Sequence, residues 1–275
     1  MTTMPALHPR NRSFVFAEVR SPFAALTAEQ ADAWNRDGAF AARGLLTAEE
    51  VAAVRAAIDP HEASTEAFLA SRENGTHGIA RAGEISFTVH LVRRESVLAQ
   101  VAGHPAIARL VGDLIGPDVR LYWDQAVYKK PGTREEFPWH QDNGYTFVEP
   151  QQYVTCWLAL TEATVDNGCP WIVPGLHRLG TLEHRLTRLG FRCLDDAPEA
   201  RPIELAPGDA AIFSSLTPHR TGPNLTDRVR AAYILQYAPD GACAFPADGG
   251  EPRPCDDPER QFRVLADGRP VAADA

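Results

Sequence analysis

From residue 117 to about residue 240 the chain breaks into short apolar runs, VRLYWDQAVYKK, YVTCWLALTEAT, CPWIVPG, IELAPGDAAIFSS and VRAAYILQYAP, with turn residues between them. Runs this short and this regularly spaced predict a β-sandwich or barrel rather than a helical bundle. Pro207-Gly208-Asp209 and Pro223-Asn224 carry the turn chemistry that reverses such strands.

Helical signals come earlier. LTAEQADAWNRDG offers Thr27 as a cap and Gln30 as its reciprocal partner, with Gly38 ending the pattern. LLTAEEVAAVRAAI repeats the device with Thr47 and Glu50 and places Val51, Val54 and Ile58 on one face. GAFAARGLL between them reads as a short strand, and a helix pair is expected around residues 95–115. Residues 60–90 show no sustained period and read as loop; as a loop on a rigid scaffold, residues 60–95 are expected to shape a site entrance. The tail from Gly241, dense in Pro, Asp, Gly and Ala, is expected to be irregular. The reading is one domain over residues 1–275, mainly β with flanking helices: a helical part about 26–116, a β core about 117–240, and the tail 241–275.

The bulk properties limit the partners. A chain of 275 residues with 44% hydrophobic and 23% charged residues can bury a large core, and no stretch approaches the roughly 18 apolar residues of a membrane span. A net charge of -9 gives no basic footprint for nucleic acid or an anionic membrane. The five cysteines, Cys156, Cys169, Cys193, Cys243 and Cys255, form no CxxC pair and read as free thiols. The start MTTMPALHPRNRSFVF lacks the pattern of a secretory signal, so the cytoplasm is the expected compartment. Oligomeric state is left open.

PWHQDNGY, residues 138–145, carries the chemistry. On extended chain, residues i and i+2 project to one side, so His140 and Asp142 point together and Gln141 points away. An imidazole and a carboxylate so placed suit a first-row divalent metal, and a second histidine would complete the facial triad of non-haem Fe(II) oxygenases. His8, His61, His77, His104, His177 and His184 sit in contexts that suit surface or structural roles, and His90 suits an entrance. His219 differs: it ends the strand-like run DAAIFSSLTPH, and Arg230 follows on the next strand. That spacing fits a hairpin-type return. An arginine inside an apolar strand is costly unless it meets an anion, and its planar fork matches a carboxylate. Arg228 shares its face under strict alternation but lies nearer the turn.

WHQD, DNGCPWIVPGLHRLG and PHRTGPNLTDRVRAAYILQY together resemble the phytanoyl-CoA dioxygenase family of Fe(II)- and 2-oxoglutarate-dependent oxygenases, from about Leu26 to Pro239. The resemblance implies a double-stranded β-helix (jelly roll, cupin-like) core, His140, Asp142 and His219 as iron ligands, and Arg230 as receptor for the distal carboxylate of 2-oxoglutarate. Trp157 is the counterpart of a tryptophan near the cosubstrate in some relatives, and Tyr153 and Thr155 share its face by alternation.

In VRLYWDQAVYKK, Val119, Leu121, Trp123, Gln125, Val127 and Lys129 alternate onto one mostly apolar face, and in relatives side chains of this strand contact cosubstrate or substrate. Lys129 either turns inward to a buried partner or, with Lys130 and Pro131, ends at a solvated rim. The chain departs from the family at PGLH, where relatives usually have PGSH. Asp142 stands where halogenating relatives have a small residue, so the implied reaction is hydroxylation or a related oxidation.

The implied activity takes Fe(II), 2-oxoglutarate and O2, yields succinate and CO2, and oxidises an unactivated C–H bond of a small-molecule metabolite. The protein's part in such chemistry is orientation and exclusion of competing reactions. A cupin-type isomerase or hydrolase would not need Arg230 and would usually carry His-x-His, and a non-catalytic binding protein on the same fold would show loss of a ligand. Arg93 and Arg94, beside His90, offer either a local anion site or a solvated helix start. Substrate identity is not written in the sequence.

Overall fold

The computed structural model describes residues 4–271. Both capping boxes form as expected. Helix Ala28–Asp37 starts at Thr27, whose hydroxyl accepts from the Gln30 amide at 3.2 Å while the Gln30 side chain accepts from the Thr27 amide at 3.0 Å. Thr47 and Glu50 repeat this at the head of helix Ala48–Ala70. Gly38 ends the first helix at φ 76°, and a β-carbon there would meet the His177 ring and the Thr217 hydroxyl at 2.5 Å, so only glycine fits. The strand Ala39–Ala42 and the helix pair Ser96–Ala102 and Pro105–Ile115 fall where the sequence places them.

The larger sheet runs in spatial order Ala39–Ala42, Ala210–Ser214, Val154–Ala159, Arg230–Pro239, Val119–Lys129, Ile85–Val89, Ala80–Arg81, Thr76–His77, with every neighbouring pair antiparallel. A four-stranded sheet has the order Arg201–Pro202, Pro170–Ile172, His219–Thr221, Phe137–His140. Its Ile172 packs with Trp157, Phe213 and Ile234 of the larger sheet, giving the two-layered jelly roll. The outer face of the larger sheet carries Cys156, Leu158, Tyr233 and Leu235, and against it lie Trp34, Val54, Ile58 and Val111 of the helices. The strand Arg230–Pro239 is therefore buried on both faces except at Pro239, which explains its nearly unbroken apolar sequence. Among the described residues no helix is long and apolar enough to cross a membrane.

Four expectations are corrected. Residues 60–90 are not a loop: the helix Ala48–Ala70 runs through Pro60, and strands Thr76–His77, Ala80–Arg81 and Ile85–Val89 follow. Tertiary contacts offset the hydrogen bond that proline removes, since Glu62 is buried and accepts from Ser86 Oγ at 2.8 Å and Lys130 Nζ at 2.5 Å. The tail is not wholly irregular: Cys243–Phe245 pairs with Phe147–Glu149, and Arg263–Ala266 pairs with Val119–Lys129. Its Val264 and Leu265 join the outer core, and Gly112 leaves room for Leu265, whose Cδ2 would lie 2.5 Å from a β-carbon there.

The alternation along Val119–Lys129 is also broken. A bulge skips Tyr122, with Trp123 opposite Gln236 and Leu121 opposite Tyr237. Val119 and Leu121 consequently face the helices, while Val127 joins the core between the sheets. Finally, His219–Thr221 and Arg230–Pro239 form no hairpin: they belong to different sheets, and the intervening turn crosses between them. Asn224, fully buried, shapes that crossing by donating to Lys129 O at 3.1 Å and Arg228 O at 2.8 Å.

Because Ile58 is completely buried between helix and sheet, Ile58→Ala is expected to lower unfolding free energy by about 2–5 kcal/mol. Urea denaturation measures this, and a loss below about 1 kcal/mol would show that the outer helices add little to the core.

Candidate active site

Pairing between strands of the smaller sheet sets His219 directly opposite His140, with ring centroids 4.1 Å apart. Each imidazole donates from Nδ1 to the carbonyl two residues earlier, His140 to Pro138 O at 2.8 Å and His219 to Thr217 O at 3.0 Å. Both Nε2 atoms thereby carry lone pairs and turn toward Asp142 Oδ1, at 3.8 and 3.7 Å. One ligand atom from each of the three residues lies within 4.8 Å of the others. Burial pushes the His140 pKa down to about 3 and the His219 pKa to about 4, so both stay in the neutral, metal-ligating form. Burial raises the Asp142 pKa against the opposing pull of His140 and of hydrogen bonds from Thr155 and Gln236.

This arrangement fits a divalent cation. A partly buried carboxylate faced by two neutral imidazoles has no lysine or arginine ion-pair partner among the described residues, and the locked Nδ1–H groups are the outer-shell orientation that metal-bound histidines use. Two nitrogens and one carboxylate oxygen on one side match the facial triad of non-haem iron.

The residues between the ligands hold them in place. Gln141, fully buried and pointing away, donates to Gly180 O at 3.0 Å and Leu216 O at 2.5 Å and accepts from the Leu182 amide at 2.6 Å. Asn143 donates to Thr181 Oγ1 at 2.7 Å and accepts from the Val148 amide at 2.9 Å. His184 Nε2 accepts from the Gln141 amide at 2.9 Å, and its ring fills the space where a β-carbon on Gly144 would stand. The sequence assigned His184 only a surface or structural role. The missed signal lies in QDN itself, since two buried amides alternating with a ligand must find backbone partners.

Thr155 and Trp157 share one face of their strand, as alternation predicts. Thr155 Oγ1 donates to Asp142 Oδ2 at 2.5 Å, and the Trp157 ring lies 5.1 Å from the Arg230 guanidinium. Arg230 therefore lies beside Trp157, on the strand face that presents Thr155 to the triad. Its guanidinium is fully buried, Nη1 donates to Val127 O at 3.2 Å, and Nε and Nη2 have no partner. Burial draws its pKa down to about 10, so it remains a cation at neutral pH. A buried cation with two unfilled donors fits a carboxylate. Arg228 is exposed and lies 3.8 Å from Glu162, so periodicity's two candidates are separated by burial.

Lys129 is not at a solvated rim. It is 1% exposed, stands opposite Arg230 in the register, and donates to Gly222 O at 2.5 Å and Thr221 Oγ1 at 3.3 Å, holding the chain just past His219. Burial, then Arg230, lowers its pKa to about 7.

Gln125, Tyr153 and Gln236 line a cavity of about 530 Å3 that opens on His140 and Asp142, together with His77 to Ala80, Phe87 and Val89 from the region expected at the entrance. Tyr122, Tyr145 and Thr146 also line it without having been singled out. The bulge that admits Tyr122 is invisible to strict alternation, whereas Gln236 was readable at even spacing from Arg230. His90 packs edge-on against Trp123 at 4.4 Å, and Arg93 is paired with Glu259. His177 is fully buried against Phe16, a structural position.

Comparison with known proteins agrees with this geometry. The family model "Phytanoyl-CoA dioxygenase (PhyH)" matches residues 34–232. Over 220 residues the chain is 30% identical to a methylphosphonate hydroxylase of Gimesia maris, covering 77% of this chain and 80% of that protein. Against the phytanoyl-CoA dioxygenases of Caenorhabditis elegans, Arabidopsis thaliana and rice it spans about half of each relative. Among solved structures, the α-ketoglutarate-dependent carbocyclase SnoK of nogalamycin biosynthesis superposes with TM-score 0.67 at 23% identity, covering 86% of this chain and 96% of that one. EvdO2 of Micromonospora carbonacea var. aurantiaca, complexed with 2-oxoglutarate, superposes with TM-score 0.61 at 26% identity, covering 86% and 98%. The chain belongs to the phytanoyl-CoA dioxygenase family of Fe(II)- and 2-oxoglutarate-dependent oxygenases.

Proposed function

We propose that His140, Asp142 and His219 hold the Fe(II) of this oxygenase, that Arg230 receives the distal carboxylate of 2-oxoglutarate, and that the reaction hydroxylates a C–H bond of a small-molecule metabolite. The observation that carries this reading is an unsatisfied, buried guanidinium packed on Trp157, on the same strand face from which Thr155 holds Asp142 of a ready metal triad. When bound, iron and 2-oxoglutarate supply the oxidising power: O2 is divided between substrate and cosubstrate, giving hydroxylated product, succinate and CO2.

The chain's own residues position and shield. The Nδ1 hydrogen bonds of His140 and His219 keep both Nε2 atoms on one side. Thr155 holds one carboxylate oxygen of Asp142 and so presents the other. The Trp157 face beside Arg230 excludes water from the guanidinium and orients its fork, while Lys129, opposite Arg230 in the register, completes the cosubstrate compartment. A compartment of this kind suits a small organic substrate, and the free state of all five cysteines supports a reducing, cytoplasmic setting. The described residues act as one catalytic domain in this reading, because strands from Thr76–His77 to Arg230–Pro239 line one cavity.

Anaerobic titration of the apoprotein with Fe(II) and 2-oxoglutarate tests the assignment through the weak visible charge-transfer band of the chelate. The wild type is expected to develop the band and Arg230→Ala to need at least about 100-fold more 2-oxoglutarate, with Arg230→Lys between them. A band formed equally well by Arg230→Ala removes the carboxylate role from Arg230. No band in a folded, metal-loaded protein favours a cupin-type isomerase or hydrolase instead. Thr155→Val, which deletes the donor to Asp142, is expected to weaken metal affinity about 10- to 100-fold in chelator competition, and Thr155→Ser to restore it. Unchanged affinity in Thr155→Val would limit Thr155 to packing.

A further inference from the structure

The cavity above the triad differs in charge from what a phosphonate or acyl-CoA substrate would require. Its wall is formed largely by Phe87, Tyr122, Trp123, Phe137, Tyr145 and Tyr153, and among the described residues it includes no lysine or arginine. Of the arginines in the flanking segments, Arg93 pairs with Glu259, Arg260 with Asp257 at 2.9 Å and Arg81 with Glu135 at 2.5 Å, and the exposed Arg94 is not part of the wall. An anion entering such a wall would lose its hydration and find no guanidinium or ammonium, which costs several kcal/mol or more. A cation would meet aromatic faces, but the lining carboxylate is Asp142, already committed to the metal in the reading above.

Apart from the metal triad's His140 and Asp142 and the exposed His77, the polar groups that line the cavity are neutral. Gln125 and Gln236 offer carboxamides and Thr146 a hydroxyl. Tyr145 accepts from the Phe191 amide at 3.3 Å through its hydroxyl oxygen, which leaves its O–H proton as a donor. The volume of about 530 Å3 lies in the range of sites that enclose a drug-sized ligand, far more than a molecule of a few heavy atoms fills.

We infer that the substrate is an uncharged molecule with an extended apolar or aromatic ring face and peripheral hydroxyl or carbonyl groups, held on Trp123 and its neighbouring rings and oriented by Gln125, Gln236 and Tyr145. The inference rests on the oxygenase reading, which supplies the metal at the cavity floor. It predicts the opposite preference to that of a phosphonate hydroxylase, despite the similarity to one.

Three fluorescent probes sharing one ring system separate shape from charge: 9-anthracenemethanol, 9-anthracenecarboxylate and trimethyl(anthracen-9-ylmethyl)ammonium. Their binding to the anaerobic Fe(II) and 2-oxoglutarate holoprotein is read by fluorescence anisotropy, with the chelate band recorded in the same sample. The alcohol is expected to bind at least 10-fold more tightly than either ion. Trp123→Ala is expected to weaken alcohol binding at least 10-fold while keeping the chelate band, and Trp123→Phe to restore it to within about threefold. Equal or tighter binding of the carboxylate or the ammonium probe overturns the inference, as does failure of the alcohol to bind a holoprotein that shows the band. Unaltered alcohol binding in Trp123→Ala removes Trp123 from the site and overturns it likewise. Loss of the band in the wild type is a different result, because it strikes the oxygenase reading itself.

Discussion

The backbone pairing of His219 with His140 is the constraint on which the rest of the site depends. It brings together two residues separated by 79 positions and fixes their spacing at the distance between neighbouring strands. The Nδ1 bonds to Pro138 O and Thr217 O then fix ring orientation without any side-chain partner, so ligand geometry follows from the strands themselves. Asp142 needs more help, because it lies two residues beyond the end of its strand. That help comes from Thr155 on the opposite sheet and from the amides of Gln141 and Asn143, which tie the loop to residues 180–182 and 148.

The same division explains why the site lies between the sheets. The larger sheet is buried on both faces, but the faces do different work. Cys156, Leu158, Tyr233 and Leu235 anchor the helices, while Thr155, Trp157, Ile234 and Gln236 face the interior. Arg230 lies there fully buried with two unfilled donors, and in the proposed function an arriving carboxylate relieves that desolvation, so that cosubstrate binding and the relief are one event.

Much of this was legible in the sequence where a local rule governs. Capping boxes at Thr27 and Thr47 depend on residues three apart, and both formed. Alternation put Thr155 and Trp157 on one face and made His140 and Asp142 neighbours in space. The failures also share a cause. The helix through Pro60 survives because Glu62 meets Ser86 and Lys130, the tail strands form because Phe147–Glu149 and Val119–Lys129 offer them edges, and the bulge at Tyr122 is a mismatch between two paired strands. None of these partners is near in sequence, so no local pattern announces them.

By itself the sequence singled out the candidate triad, the buried arginine's need for an anion and the β character of the core, because each follows from residue chemistry or a short-range period. Only the tertiary structure decided that Arg230 rather than Arg228 is buried, that Lys129 turns inward to the chain beyond His219, and that the cavity wall is aromatic and, among the described residues, free of lysine and arginine. Those outcomes depend on which strands meet and where a register shifts. Such long-range choices are settled by the burial of the whole sheet rather than by any one segment's preference.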